Sequence, residues 1–100
     1  MNQISIDKFL AYNKKDIQVI DIREPYEYDN GHLDAINIPM DEIIHSIDKI
    51  NLKKEIIIYC QTGKRAAAVV YMLSKFHGIQ KIYNLSGGYA AYLEIKLQTQ

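Results

Sequence analysis

One cysteine, two prolines and no tryptophan stand in a chain of 100 residues. A lone cysteine excludes an internal disulfide and any CxxC metal or redox motif. Net charge is missing too, because twelve Lys and Arg balance twelve Asp and Glu. No global field therefore gathers nucleic acid or an anionic membrane, and any anion bound must be held by local geometry. Long apolar runs are absent: the longest, Ala66 to Leu73 interrupted only by Tyr71, falls far short of a bilayer span. The start, Met1 to Asp7, lacks the basic residues and apolar stretch of a secretory signal. An unpaired thiol without that signal is expected in a reducing cytoplasm. No His, Cys, Asp and Glu spacing suits a metal site, so neither metal nor cofactor is expected. Repeats and Pro/Gly/Ser linkers are lacking as well, which predicts a single domain over residues 1–100.

What is present alternates. Ser5 and Asp7 can cap a short helix through about Asn13, and Ile17 to Ile22 reads as a strand. Glu24-Pro25 starts a short helix that ends at Asn30-Gly31. Ala35 to Ile38 is a second strand, stopped by Pro39, and Asp41 opens a helix carrying Ile43, Ile44, Ile47 and Ile50. Glu55 to Tyr59 is the most apolar strand and is predicted to be central. A helix follows Cys60 to about His77, with Gly78 as its left-handed terminator. Lys81 to Leu85 is the fourth strand, and Ser86-Gly87-Gly88 opens a last helix with Tyr89, Tyr92, Leu93 and Leu97 on its inner face. The alternation predicts an α/β fold with a mainly parallel central sheet of four to five short strands, flanked by helices on both faces. Ligands of such sheets bind beyond the strands' carboxyl ends, where Asp21, Pro39, Cys60 and Ser86 all fall.

The segment Tyr59-Cys60-Gln61-Thr62-Gly63-Lys64-Arg65 carries the chemistry. A strand feeding a tight loop into a helix start leaves backbone N–H groups unpaired and facing one concavity. A thiol at its mouth sits in a field that favours the anion. A cysteine of this size is most often a small core residue. A core cysteine, however, needs neither Gly63 to turn the loop nor the two cations Lys64 and Arg65 at a helix start, where positive charge opposes the dipole. An anion offsets them, either the thiolate or a substrate. Cys60 is accordingly the expected nucleophile.

Other residues read as support. Asp21 is expected to accept backbone donors near the loop, and Arg23 to pair with Glu27 or a neighbour. His32, in a Gly-His turn, is a base for Cys60 or, more in keeping with its place, a tie within its own loop. His45 and His77 read as ordinary helix residues. Tyr89 and Tyr92 fit either the rim of the loop or simple packing of helix on sheet, and Gly87-Gly88 allow a close approach to it.

Five segments, in order and at fitting intervals, resemble the rhodanese family and specifically its single-domain sulfurtransferases. They are Asp21 to Tyr28, Gly31-His32-Leu33, Ala35 to Pro39, Tyr59 to Arg65 and Leu85 to Gly88. The similarity covers about residues 3–95. It departs twice: the Gly31-His32-Leu33-Asp34-Ala35 turn is one residue short of the usual pattern and lacks its second glycine, and Tyr92 stands where tryptophan is common. The resemblance implies a rhodanese-like fold and a cysteine that takes up a sulfane sulfur as a persulfide and hands it on. The expected partners are then a small donor such as thiosulfate and an acceptor such as cyanide or a thiol, or a protein carrying the persulfide. Gln61, Thr62, Gly63, Lys64 and Arg65 would bind the substrate, with Asp21, Arg23 and His32 supporting. Two alternatives stand beside this. One is a persulfide relay or regulatory module with little turnover. The other is a cysteine-dependent phosphatase or arsenate reductase, whose phosphate cradle is one residue longer than the four that Cys60 and Arg65 enclose.

Overall fold

Three consecutive isoleucines, Ile56-Ile57-Ile58, suit a strand covered on both faces, since β-branched side chains pack well on a pleated surface. The computed structural model, which describes residues 2–98, places them there. Five parallel strands run β1 Gln3–Ile4, β2 Ile17–Asp21, β3 Ile36–Asn37, β4 Glu55–Tyr59 and β5 Ile82–Leu85, in the order β1-β5-β4-β2-β3. The apolar strand β4 is central. The helices are α1 Ile6–Ala11, α2 Pro25–Asp29, α3 Lys64–His77 and α4 Gly88–Gln98. Alternate side chains of β4 go to opposite layers. Ile56 and Ile58 join Ile20, Ile22, Val69 and Leu73 against α3, whereas Ile57 and Tyr59 join Ile4, Ile6, Leu33 and Leu85 against α1 and α4. No helix among the described residues is long and apolar enough to cross a membrane.

Local chemistry sets the boundaries. Ser5 Oγ accepts from the Lys8 N–H and starts α1, which stops at Ala11, short of Asn13. Asn13 instead caps a 3-10 turn, Lys14–Asp16. Pro25 takes the first position of α2, whose Glu24 and Glu27 form a reciprocal capping box. Gly78, at φ 67, ends α3.

Two expectations are corrected, and one strand lies outside those read from the sequence. The helix after Asp41 is a 3-10 segment, Ile43–Lys49, broken at Ser46 with φ −123 and ψ 22. Its branched isoleucines disfavour a regular α-helix, and a short 3-10 run buries Ile43 and Ile50 without one. The two-residue strand β1 was not expected from the sequence at all, and its pairing with β5 makes the fifth strand. The inner face of α4 is Tyr89, Tyr92 and Ile95 with Ala91; Leu93 and Leu97 face water, Leu97 being 70% exposed.

Candidate active site

Cys60 leaves the carboxyl end of β4, and the chain reverses at Gly63, whose φ of 100 an L side chain would resist. The reversal brings the start of α3 over the sulfur. Cys60 Sγ accepts the Gly63 N–H at 3.1 Å and the Ala66 N–H at 3.3 Å. One donor, Gly63, lies within the stretch Gln61 to Arg65 expected to bind substrate, and the other, Ala66, is one residue past it. A second departure concerns access. Cys60 was expected at the mouth of a concavity, yet it is 1% exposed and packs in the α3 layer beside Ala66 and Val69. The sulfur is therefore buried and still faces inward-turned amides. Unpaired N–H groups at a helix start favour an anion at this spot.

The loop's carbonyls point the other way. The first amides of α4 take them, Tyr89 N–H donating to the Cys60 carbonyl at 2.9 Å and Ala90 N–H to the Gln61 carbonyl at 3.0 Å. Contact is so close that a Cβ on Gly88 would lie 2.4 Å from the Cys60 oxygen. The approach that Gly87-Gly88 permit is thus realised. From beneath, the Asn84 side-chain amide donates to the Gly63 carbonyl at 3.1 Å, while its Oδ1 is buried without a partner. Asn84 and Ala66 went unnoticed in the sequence; a buried amide inside the apolar strand Ile82-Tyr83-Asn84-Leu85 was the available signal for the former.

Two arginine–carboxylate pairs flank the loop. Asp21 accepts the Arg23 backbone N–H at 2.9 Å, as expected of a backbone acceptor, and also binds that residue's guanidinium at 2.7 Å. Arg23 continues to Gln61 Oε1 at 3.0 Å and the Gly31 carbonyl at 2.8 Å, with Tyr89's ring centroid 4.6 Å from its Cζ. Burial opposes the Arg23 charge, but the bonds and charge of Asp21 more than offset it and hold the group above its ordinary value. Tyr59, buried beside them, is raised by burial and by its bond to Asp21; its hydroxyl accepts the Leu33 N–H at 3.0 Å. Of the two expected partners for Arg23, Glu27 or a neighbour, it takes the neighbour Asp21, which is nearer along the chain and fully buried. Glu27 belongs to Arg65. The guanidinium grips both carboxylate oxygens at 2.9 and 3.0 Å. The hydrogen bonds with Arg65 hold the Glu27 carboxyl below its ordinary range. The Glu27 bond likewise holds Arg65 above its own, with the Cys60 charge adding to it.

Gln61 is half-buried under Arg23, whereas Thr62 and Lys64 are exposed. His32 is exposed, its Nδ1 within 2.6 Å of the Leu33 carbonyl and its ring stacked on Tyr28 at 3.7 Å. It ties its own turn, and the hydrogen bonds to Cys60 Sγ come from backbone amides. The shortened turn bends at Gly31, whose φ of 135 favours glycine. Tyr92, in the place where tryptophan is common, stacks on Tyr89 with centroids 6.2 Å apart.

Residues 7–95 match the family described as Rhodanese-like domain. An uncharacterized Bacillus subtilis protein, YqhL, is 37% identical over 90 residues, covering 89% of this chain and 70% of its own length. The thiosulfate sulfurtransferase GlpE of Shewanella oneidensis is 28% identical over 81 residues, 80% of this chain and 79% of that protein. Among solved structures, a rhodanese-related protein from Thermoplasma volcanium superposes with a TM-score of 0.85 at 29% identity, covering 95% of this chain and 93% of that one.

Proposed function

The chain belongs to the rhodanese-like domain family, and on that premise we propose that it is a sulfurtransferase working through a Cys60 persulfide. The observation that carries this reading is the pair of amides, Gly63 and Ala66, donating to one sulfur at the start of a fourteen-residue helix. In the first step the Cys60 thiolate attacks the outer sulfur of thiosulfate or of another persulfide. A new S–S bond forms, the donor's S–S bond breaks, and sulfite or a thiolate leaves. The terminal sulfur carries the negative charge, and preorganised N–H donors stabilise it as they would an oxyanion. Cyanide or a thiol then attacks that sulfur and leaves as thiocyanate or a persulfide, returning Cys60 to the thiolate in a ping-pong cycle. Burial of Cys60 restricts the donor to one with a narrow, terminal sulfur. The lone thiol suits a reducing compartment such as the cytoplasm. A phosphatase is a poorer fit, since Cys60 and Arg65 enclose four residues, one fewer than a phosphate cradle, and Glu27 competes for the guanidinium that would clasp a phosphoryl group.

A groove beside Arg65 favours a second reading, relay of sulfur between proteins. Ile22, Val69 and Met72 floor it and the half-exposed Met40 and Ile44 edge it, a surface suited to an apolar stretch of another protein. Intact-mass measurement after thiosulfate treatment tests the first reading: one added sulfur is expected on the wild type and none on Cys60→Ser. Saturable turnover with thiosulfate and cyanide supports the enzyme, whereas loading only from a protein persulfide supports the relay. A wild type that gains no sulfur from either source overturns both.

A further inference from the structure

Arg65 follows a loop whose amides face Cys60 Sγ, yet its charge is already matched. Both guanidinium arms are taken by Glu27, and Glu27 is itself held in place, since its Oε1 also accepts the Glu24 backbone N–H at 3.1 Å. The carboxylate is thus fixed by the capping box of α2 before Arg65 meets it. This pair is not sealed in: the side chains are 36% and 18% exposed, so an anion arriving at the loop can compete for the arginine. Further acidic groups, Glu24 and Asp41, edge the adjoining groove, whose floor is apolar. Lys64 is left as the exposed cation of the loop.

We infer that Glu27 is a charge-selecting residue, which by occupying Arg65 disfavours doubly charged sulfur donors relative to singly charged ones with an apolar end. The inference rests on the sulfur-uptake reading above. A dianion such as thiosulfate must either displace Glu27 from the guanidinium or approach a site where the pair carries no net charge. A monoanion whose transferable sulfur is borne by an alkylsulfonyl group meets less repulsion, and its alkyl end suits the apolar floor. Both donors deliver the same sulfur in the same step. The Cys60 thiolate bonds to it and the S–S bond to the donor breaks, expelling sulfite from thiosulfate or a sulfinate from a thiosulfonate, with total charge conserved in each case.

The experiment measures the second-order rate of sulfur loading onto Cys60 by thiosulfate and by methanethiosulfonate, which share a transferable sulfur and differ by one charge. Glu27→Gln keeps an acceptor for the Glu24 N–H but frees the charge of Arg65. It is expected to raise the thiosulfate-to-methanethiosulfonate rate ratio on the order of tenfold, the size of one close charge interaction at a half-exposed site. Glu27→Asp, which retains the charge and loses the reach for both guanidinium arms, is expected to move the ratio the same way by less. It also serves should the glutamine variant fold poorly. An unchanged ratio in both folded variants overturns the inference and leaves sulfur transfer standing, as does an equal fall with both donors, the mark of a purely structural role. Absence of loading by either donor in the wild type removes the sulfur-uptake reading and this inference with it.

Discussion

Two arginine–carboxylate pairs stand beside the Cys60 loop, and they differ chiefly in burial. Asp21 and Arg23 have side chains 0% and 3% exposed, while Glu27 and Arg65 are 18% and 36% exposed. The buried pair is completed by the Gln61 and Gly31 acceptors and by Tyr89's ring, so the guanidinium has no free direction. In a low-dielectric setting such a pair contributes little net attraction after desolvation, but breaking it strands a charge. The half-exposed pair is screened, exchangeable and weak. Identical chemistry is therefore framework on the β2 side and adjustable on the α2 side. Burial decides which is which.

The difference is tested most severely by Arg23→Met. It leaves Asp21 buried without its countercharge and is expected to cost about 3–5 kcal/mol. The corresponding fall in Tm is roughly 12–40 °C by thermal denaturation. A loss no greater than that of Glu27→Gln would mean that the two pairs do not differ in kind. Gly88→Ala comes next. Gly88 sits at φ 64, and the added methyl meets the Cys60 carbonyl at 2.4 Å, backbone that cannot swing aside. About 1–3 kcal/mol of destabilisation is expected, together with loss of sulfur loading as the amides above Sγ shift. Loading at the wild-type rate in a folded Gly88→Ala protein would show that the packing of α4 does not hold the loop.

The same contrast explains what the amino-acid order disclosed. Features set by local rules were legible: Pro25 at a helix start, Gly78 at a helix end, the triple isoleucine of a central strand and the Cys60–Gly63 loop running into α3. Partnerships across the fold were not. Glu27 and Arg65 are separated by 38 positions, and choosing between Arg23 and Arg65 for Glu27 requires knowing where α2 and α3 pack. Asn84 likewise meets Gly63 only because β5 lies beside β4. The inward face of α4 departs from expectation at Leu93 and Leu97, because apolar spacing on an eleven-residue helix fits more than one rotation. The 3-10 segment after Asp41 kept its predicted apolar residues but not its helix type, since propensity is weak where a handful of isoleucines can be buried by either geometry.

The smallest expected effect is also the one that separates the pairs most cleanly by their response to solvent. Glu27→Gln is expected to cost about 1 kcal/mol or less at neutral pH and low salt. Glu27 titrates below its ordinary value of 4.5 in the folded protein because Arg65 stabilises the carboxylate. A group depressed in this way contributes stability above its unfolded value and loses it as pH falls through the folded one. The Tm gap between wild type and Glu27→Gln should thus be full near neutrality and close as pH drops below the ordinary carboxylate range. Added salt should narrow it too, since the pair reaches water. The Arg23→Met deficit, arising from a stranded charge out of solvent's reach, should resist salt at neutral pH. If salt narrowed both deficits equally, burial would not be the quantity that distinguishes framework from adjustable contact, and Glu27 would have to be regarded as part of the same rigid brace as Asp21.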